Sequence, residues 1–286
     1  MKKSSVSFAG IEDEFSGFQN ASTLLQSIPY DGTSTWGKGA DGAFDAFINA
    51  SENMELYDIE TNSEVYRKGI HILQEINEAS SPEKVYNEVL KKTDELLQFK
   101  KFLTFLGGEH SISIGVIEAF SHHYENLTVL QLDAHADLRE EYLGSRYNHA
   151  CAMHAASKTT NLIQVGIRSM DVSEKKYLDP DKCFFADDLY QDNNWMKESI
   201  KLMTDDVYLS IDLDVFDPSI MPSTGTPEPG GLDWNTTIKY LRQVFEQKNI
   251  VGFDIVELAP IMGLEAPNFL VAKLYYKLLS YKYHDK

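Results

Sequence analysis

Cysteine, positive charge and long apolar runs are all scarce in this sequence. Two cysteines, Cys151 and Cys183, occur in 286 residues. That is too few for a disulfide framework, so reduced thiols in a cytoplasmic protein are expected. The N-terminal stretch MKKSSVSFAGIEDEF carries two lysines but no apolar core of signal-peptide length. No apolar run approaches the roughly 20 residues that a membrane span requires. Lysine and arginine number 26 against 44 aspartates and glutamates, a formal net charge of −18. Such a surface repels phosphate backbones, and the basic pairs Lys91-Lys92 and Lys175-Lys176 sit among acids, which argues against a nucleic-acid partner. Internal repeats, low-complexity segments and linker-like runs are missing too, so residues 1–286 read as a single domain.

What is present is ordinary for a soluble globular chain: 43% apolar and 24% charged residues. The acidic field keeps such a chain soluble, and it also draws in cations, among them metal ions and amines. From about Phe102 onward, short runs that are apolar nearly throughout alternate with helical patterns. Residues 102–108, 127–135, 162–168, 183–187, 207–214 and 250–258 read as strands covered on both faces. Between them 111–124, 193–203, 233–247 and 266–283 read as helices, the first opening on Ser111 as a candidate cap. The alternation predicts a three-layer α/β/α fold with a mainly parallel sheet. The first hundred residues are less regular. Helices are expected over 64–76 and 82–99, and a long Gly/Ser/Thr-rich loop over 28–44, a length at which loops are often functional.

Three of the strands end in ionisable side chains. VLQLDAHADLR turns from apolar residues to Asp133, His135 and Asp137, two apart, a spacing that places all three on one face if strand geometry continues. SIDLDVFDP repeats the pattern with Asp212, Asp214 and Asp217, and GGEH puts Glu109 and His110 past Leu106. In an open parallel sheet ligands bind beyond the carboxyl ends of the strands. Each cluster alone has a bland reading: a loop polar pair, a turn cap or a satisfied core histidine. Together they concentrate carboxylates whose burial is costly unless a cation neutralises them. Two imidazoles and four aspartates suit a pair of divalent, borderline-hard metals such as manganese rather than a thiolate metal.

The segments LGGEHSISIG, LDAHADLR, SIDLDVFDPSIMPSTGTPEPGGL and GFDIVELAP, in this order, resemble the arginase/agmatinase superfamily, the ureohydrolases. The resemblance implies an arginase-like fold, two Mn2+ per chain and hydrolysis of a guanidinium group to urea and an amine. By motif, it implies His110 and Asp137 on the first metal, His135 and Asp214 on the second, and Asp133 and Asp212 bridging both. A bridging hydroxide would attack the guanidinium carbon, with Asp137 orienting it. Glu257 in DIVELAP would pair with the substrate guanidinium, the alternative being a strand-end salt bridge. His149 in YNHACAMH would pass a proton to the leaving amine, with His154 nearby as its competitor. Thr224, Gly225 and Thr226 would line the pocket, and Arg168 and Asp171 a substrate-side rim. His71, His122, His123 and His284 fall outside the motifs and read as surface or helix-end residues. Family members are commonly trimers or hexamers, which implies a homo-oligomer.

The segment DLREEYLGSRYNHACAMH lacks the N-x-H-G pattern with which arginine hydrolases grip an α-carboxylate. GGEHS carries Glu109 where arginases usually have Asp. Both features resemble agmatinases, which implies agmatine as substrate and putrescine and urea as products, with Glu140, Glu141 or Asp171 attracting the distal amine. Guanidinobutyrate, guanidine and arginine are alternative substrates. A cysteine hydrolase built on Cys151 with His149 or His154 is a rival enzyme class, though it leaves the aspartates unexplained. A non-catalytic metal-binding relative is a third reading, set against the metal-competent side chain at each of the six ligand positions.

Overall fold

The computed structural model describes residues 6–191 and 194–284. The two N-terminal lysines and Asn193, the first residue of the expected helix 193–203, lie outside these residues. Among the described residues eight strands form one sheet: β1 (Thr23–Ile28), β2 (Ile70–Ile72), β3 (Phe102–Gly107), β4 (Thr128–Leu132), β5 (Asn161–Ile167), β6 (Cys183–Phe185), β7 (Asp206–Asp212) and β8 (Asn249–Val256). Their order is β2-β1-β3-β8-β7-β4-β5-β6. Every neighbouring pair is parallel. Parallel strands need crossovers, and helices supply them on both faces. One core packs the helices Ala43–Ser51, Asn194–Leu202, Trp234–Gln247 and Ala266–Lys282 against residues such as Leu130, Leu209 and Phe253. The other packs Pro82–Leu97 and Ile112–His123 against Leu103, Val129 and Tyr208. This is the expected three-layer α/β/α arrangement. No helix among the described residues is long and apolar enough to cross a membrane.

The six expected strands form, with ends displaced by up to three residues. The displacement that matters is at β4, which stops at Leu132. Asp133, His135 and Asp137 therefore lie on a loop, not on one strand face. Likewise β7 gives way after Asp212 to a 3-10 turn, Leu213–Val215. The expected helix over 64–76 is wrong: a 3-10 turn, Val65–Lys68, leads into β2. Gly69 breaks the pattern at φ +82, where a Cβ would strike the backbone of Ala21. His71 is accordingly buried in β2, its Nδ1 2.8 Å from the Ser16 carbonyl, and is not a surface residue. β1 and the helix Ala43–Ser51 were not expected. Ser111 is itself helical and makes no cap bond; its hydroxyl donates to Glu109 instead.

Candidate active site

The carboxyl ends of β3, β4, β7 and β8 are adjacent in the sheet, and the motif residues meet there. Past β3 the chain must turn sharply. A Cβ on Gly108 would overlap the Tyr30 carbonyl oxygen, so only glycine lets the two backbones touch and lets Glu109 N–H donate to that carbonyl at 2.8 Å. His110 then enters the site, buried. Its Nδ1 lies 3.0 Å from Asp133 Oδ2, 3.0 Å from Asp137 Oδ2 and 3.3 Å from Asp212 Oδ2. His135 Nδ1 lies 2.9 Å from Asp214 Oδ2 and 3.7 Å from Asp133 Oδ1.

Two sets of side chains can each converge on one ion: His110, Asp133 and Asp212, and Asp133, His135 and Asp214, the ligand atoms in each lying within 4.8 Å of one another. Asp133 is common to both sets, and Asp137 faces the first through His110. The fit to metal can be judged from His110 itself. Ser210 Oγ donates to Asp254 Oδ1 at 2.7 Å and lies 3.0 Å from His110 Nε2. A hydroxyl has one proton, so Ser210 accepts from Nε2–H, which leaves Nδ1 as the nitrogen turned toward three carboxylates and free to exchange a proton for a metal. That nitrogen is buried and makes no hydrogen bond of good geometry. Positive charge, a proton or better a metal ion, is what reconciles it with its neighbours, and an all-nitrogen-and-oxygen donor set suits divalent first-row ions.

Electrostatics in the ion-free chain say the same. Burial, then the charges of Asp214 and Asp137, push the Asp133 carboxyl up to about 7. Asp212 is likewise raised well above the carboxylate range by burial and by Asp214 and Asp133. Burial opposes charge on His110, yet its three aspartate neighbours hold it well above the usual imidazole range. Burial also works against His135 and Asp214, but their pairing prevails: His135 is pushed up to about 11 and Asp214 down to about 2. Protons here do the neutralising that a dication does better.

The backbone is strained where the site needs it. Asp137 and Glu257 sit at φ +53 and +67, left-handed values rare for side-chain-bearing residues. Each is held by its neighbours. Met153 N–H donates to Asp137 O at 2.9 Å, and Leu138 N–H to Glu174 Oε1 at 2.7 Å. Glu257 N–H donates to Gly108 O at 2.9 Å, while Glu257 Oε1 accepts from His110 N–H at 2.7 Å. Burial and the nearby charge of Glu109 push Glu257 up to about 8.

A cavity of about 280 Å³ opens over this centre, with His135, Asp137, Asp212, Asp214 and Glu257 at its floor. Of the other expected residues, His149, Thr226 and Asp171 line it. His154 does not; it is tied to the Leu138 carbonyl and to Lys158. Arg168 is not at the rim either. Its guanidinium donates to the carbonyls of Asp214, Glu228 and Pro229, bracing the loop after β7. Glu140 and Glu141 are exposed outside the cavity, Glu140 bonded to the Tyr177 hydroxyl at 2.6 Å. Asp217 accepts from Gly230 and Gly231 N–H and shapes that same loop. Cys151 is buried and its thiol pushed up to about 12 by burial and by Asp137, which leaves it inert as a nucleophile.

Sequence reasoning missed Ser210 and Asp254 behind His110, Glu174 beneath Asp137, and Thr33 beside His149. Only the long loop signalled any of them: within 28–44, Thr35 lines the cavity and Gly37 N–H donates to Gly225 O at 3.0 Å.

Comparison with known proteins agrees with this geometry. The family model described as the arginase family matches residues 21–280. The N(1)-aminopropylagmatine ureohydrolase of Synechocystis sp. is 33% identical over 280 residues, 94% of this chain and 92% of its own length. The agmatinase of Pyrococcus horikoshii is 28% identical over 266 residues, 92% of each chain. Among solved structures, the agmatine ureohydrolase of Thermoplasma volcanium superposes with a TM-score of 0.86 at 29% identity, covering 97% of this chain and 95% of the other. The arginase from Bacillus cereus does so with a TM-score of 0.77 at 26% identity, covering 90% and 97%.

Proposed function

The chain belongs to the arginase family, and on that premise we propose that it hydrolyses a guanidino amine with a protonated tail, agmatine first, to urea and putrescine. The family's ureohydrolases are binuclear-metal hydrolases acting on C–N bonds of linear amidines, and this chain is agmatinase-like among them. The observation that carries the proposal is the joining of two metal-competent donor sets through Asp133 beneath a cavity that also holds Glu257 and His149.

Two divalent cations in those sets, manganese in our reading, would supply Lewis-acid polarisation and a water acidic enough to ionise near neutral pH. The chain's own residues do the rest. Glu257 meets the planar guanidinium with its carboxylate, and the arriving positive charge compensates the burial that raises its pKa. Asp137, locked in its left-handed backbone, holds a proton of the attacking water and fixes its approach. His149 lies over the same cavity; burial works against its charge, but Glu109 and Asp137 raise its pKa above the ordinary imidazole value. It therefore keeps its proton to higher pH than a free imidazole does and delivers it to the amine as the C–N bond breaks.

Asp171 and Glu174 make the outer wall acidic, which favours a cationic tail over a carboxylate. Arg139 tempers this, lying 3.7 Å from Asp171. A second reading, a guanidino amine lengthened by an aminopropyl group, is favoured by the relatives named for N(1)-aminopropylagmatine. A single compact domain, a trimer or hexamer and a cytoplasmic setting belong to the same proposal. The test is urea release with manganese from agmatine, N(1)-aminopropylagmatine, arginine, guanidinobutyrate and guanidine side by side. Preference for either cationic-tailed amine is expected; preference for arginine or guanidinobutyrate overturns it.

A further inference from the structure

We propose that Thr33 is a positioning residue that sets the tautomer of His149 and so determines which ring nitrogen handles the proton. This deepens the reading of His149 given above and rests on it. Thr33 belongs to the long loop after β1, far in sequence from every motif, yet its hydroxyl sits at a junction of three groups. It donates to Glu109 Oε2, accepts from His149 N–H at 3.0 Å and lies 3.1 Å from His149 Nδ1.

A hydroxyl offers one proton and two lone pairs. Glu109 is fully buried, and its other oxygen already accepts from the Ser111 hydroxyl. Turning the Thr33 proton toward His149 would leave Glu109 Oε2 without that donor inside a site crowded with acids, so the proton goes to Glu109. One lone pair of Thr33 takes the His149 backbone N–H. The other faces Nδ1, and that contact is a hydrogen bond only if Nδ1 carries a proton. Glu109 Oε2, 3.5 Å from the same nitrogen, favours the same state. With Nδ1–H fixed on this side, Nε2 is the nitrogen left to hold and release a proton. Tyr142 stands edge-on to the ring at 6.2 Å and 88°, which steadies its plane. Both His149 and Tyr142 line the cavity.

The same junction explains how a loop placed before the first crossover comes to matter. Thr33 ties it at once to the turn after β3, through Glu109, and to the His149 turn. A hydroxyl is required for this, and a methyl group of the same size cannot replace it.

The experiment compares the manganese-loaded parent with Thr33→Val, Thr33→Ala and Thr33→Ser, measuring kcat, KM, metal per chain and melting temperature. With the tautomer unset, kcat of Thr33→Val and Thr33→Ala should fall by about tenfold or more while KM stays within about twofold, since a proton transfer and not binding is impaired. Metal content and melting should hold. Thr33→Ser should return kcat to within about threefold of the parent. The proposal is overturned if kcat of Thr33→Val and Thr33→Ala stays within about twofold of the parent, or if Thr33→Ser is no better than they are. It is equally overturned if both hydroxyl-free variants lose their metals or their fold, because Thr33 would then be structural. A parent that turns over while Thr33→Val is unaffected sinks this inference alone; a parent inert toward every guanidino compound sinks the wider reading and this one with it.

Discussion

Replacing Glu174 with glutamine tests how the centre is held. Glu174 is buried, with Oε1 accepting from Leu138 N–H at 2.7 Å and Oε2 from Asp171 N–H at 2.6 Å. It thus clamps the residue after strained Asp137 to the rim residue Asp171. Glutamine has one carbonyl oxygen, so its NH2 must confront one of the two N–H donors. One charge-assisted bond is lost and one buried donor stranded, a cost of about 2–4 kcal/mol. Unfolding entropy of about 2.1 cal/mol/K per residue gives about 0.6 kcal/mol/K for this chain, so melting should drop by about 3–7 °C. Urea release should fall too, because Asp137 loses its support. Calorimetry is the assay, with Lys175→Gln as the exposed neighbouring control, expected to move melting by less than about 1 °C. A Glu174→Gln protein that melts with the parent and keeps full turnover would refute the clamp.

Asp133→Asn should abolish turnover and release metal, since it removes the carboxylate shared by both donor sets; full activity with metals retained would contradict the assignment. Glu257→Gln keeps an oxygen for His110 N–H, so metal content should persist while kcat/KM collapses, and retention of activity would count against the guanidinium role. Stripped of metal, the protein should lose stability as pH rises. Asp133, raised to about 7 from an ordinary 3.8, contributes stability that is complete below the lower value and gone above the higher. His135, raised to about 11 from 6.5, adds a similar loss at higher pH. Asp214, lowered to about 2, acts oppositely but only in strong acid. Melting of the stripped chain should therefore fall between pH 5 and 7.5, and less steeply once metal is restored; a flat or rising profile without metal would count against this account.

The sheet was legible from Phe102 onward because strands covered on both faces are short and apolar throughout, and their acidic ends stand out against that background. The ligand clusters were legible for the same reason. β1 was not: TLLQSI interrupts its apolar run with Gln26 and Ser27, both buried, the Gln26 amide donating to the Ser27 and Gln74 carbonyls. The segment 64–76 misled because Val65, Ile70, Leu73 and Ile76 suit a helical stripe as well as a short strand. Arg168 looked like a substrate contact beside Asp171, yet its donors are spent on five carbonyls, those of Gly166, Asp214, Phe216, Glu228 and Pro229. Thr33, Glu174 and Ser210 follow no periodicity that gives their roles, since a supporting hydrogen bond depends on tertiary neighbours.

The strand order has a consequence for synthesis and quality control. The central strands β3, β8, β7 and β4 bring together side chains first made more than a hundred residues apart, and the last to arrive, Glu257, follows directly on the final strand. No nascent or truncated product lacking the C-terminal crossover can assemble the whole pocket. Because β8 lies between β3 and β7, His110 meets Asp133 and Asp212 only once that late strand is seated, so a donor set able to hold ions would report that segments with no covalent neighbour in common have been wound together correctly.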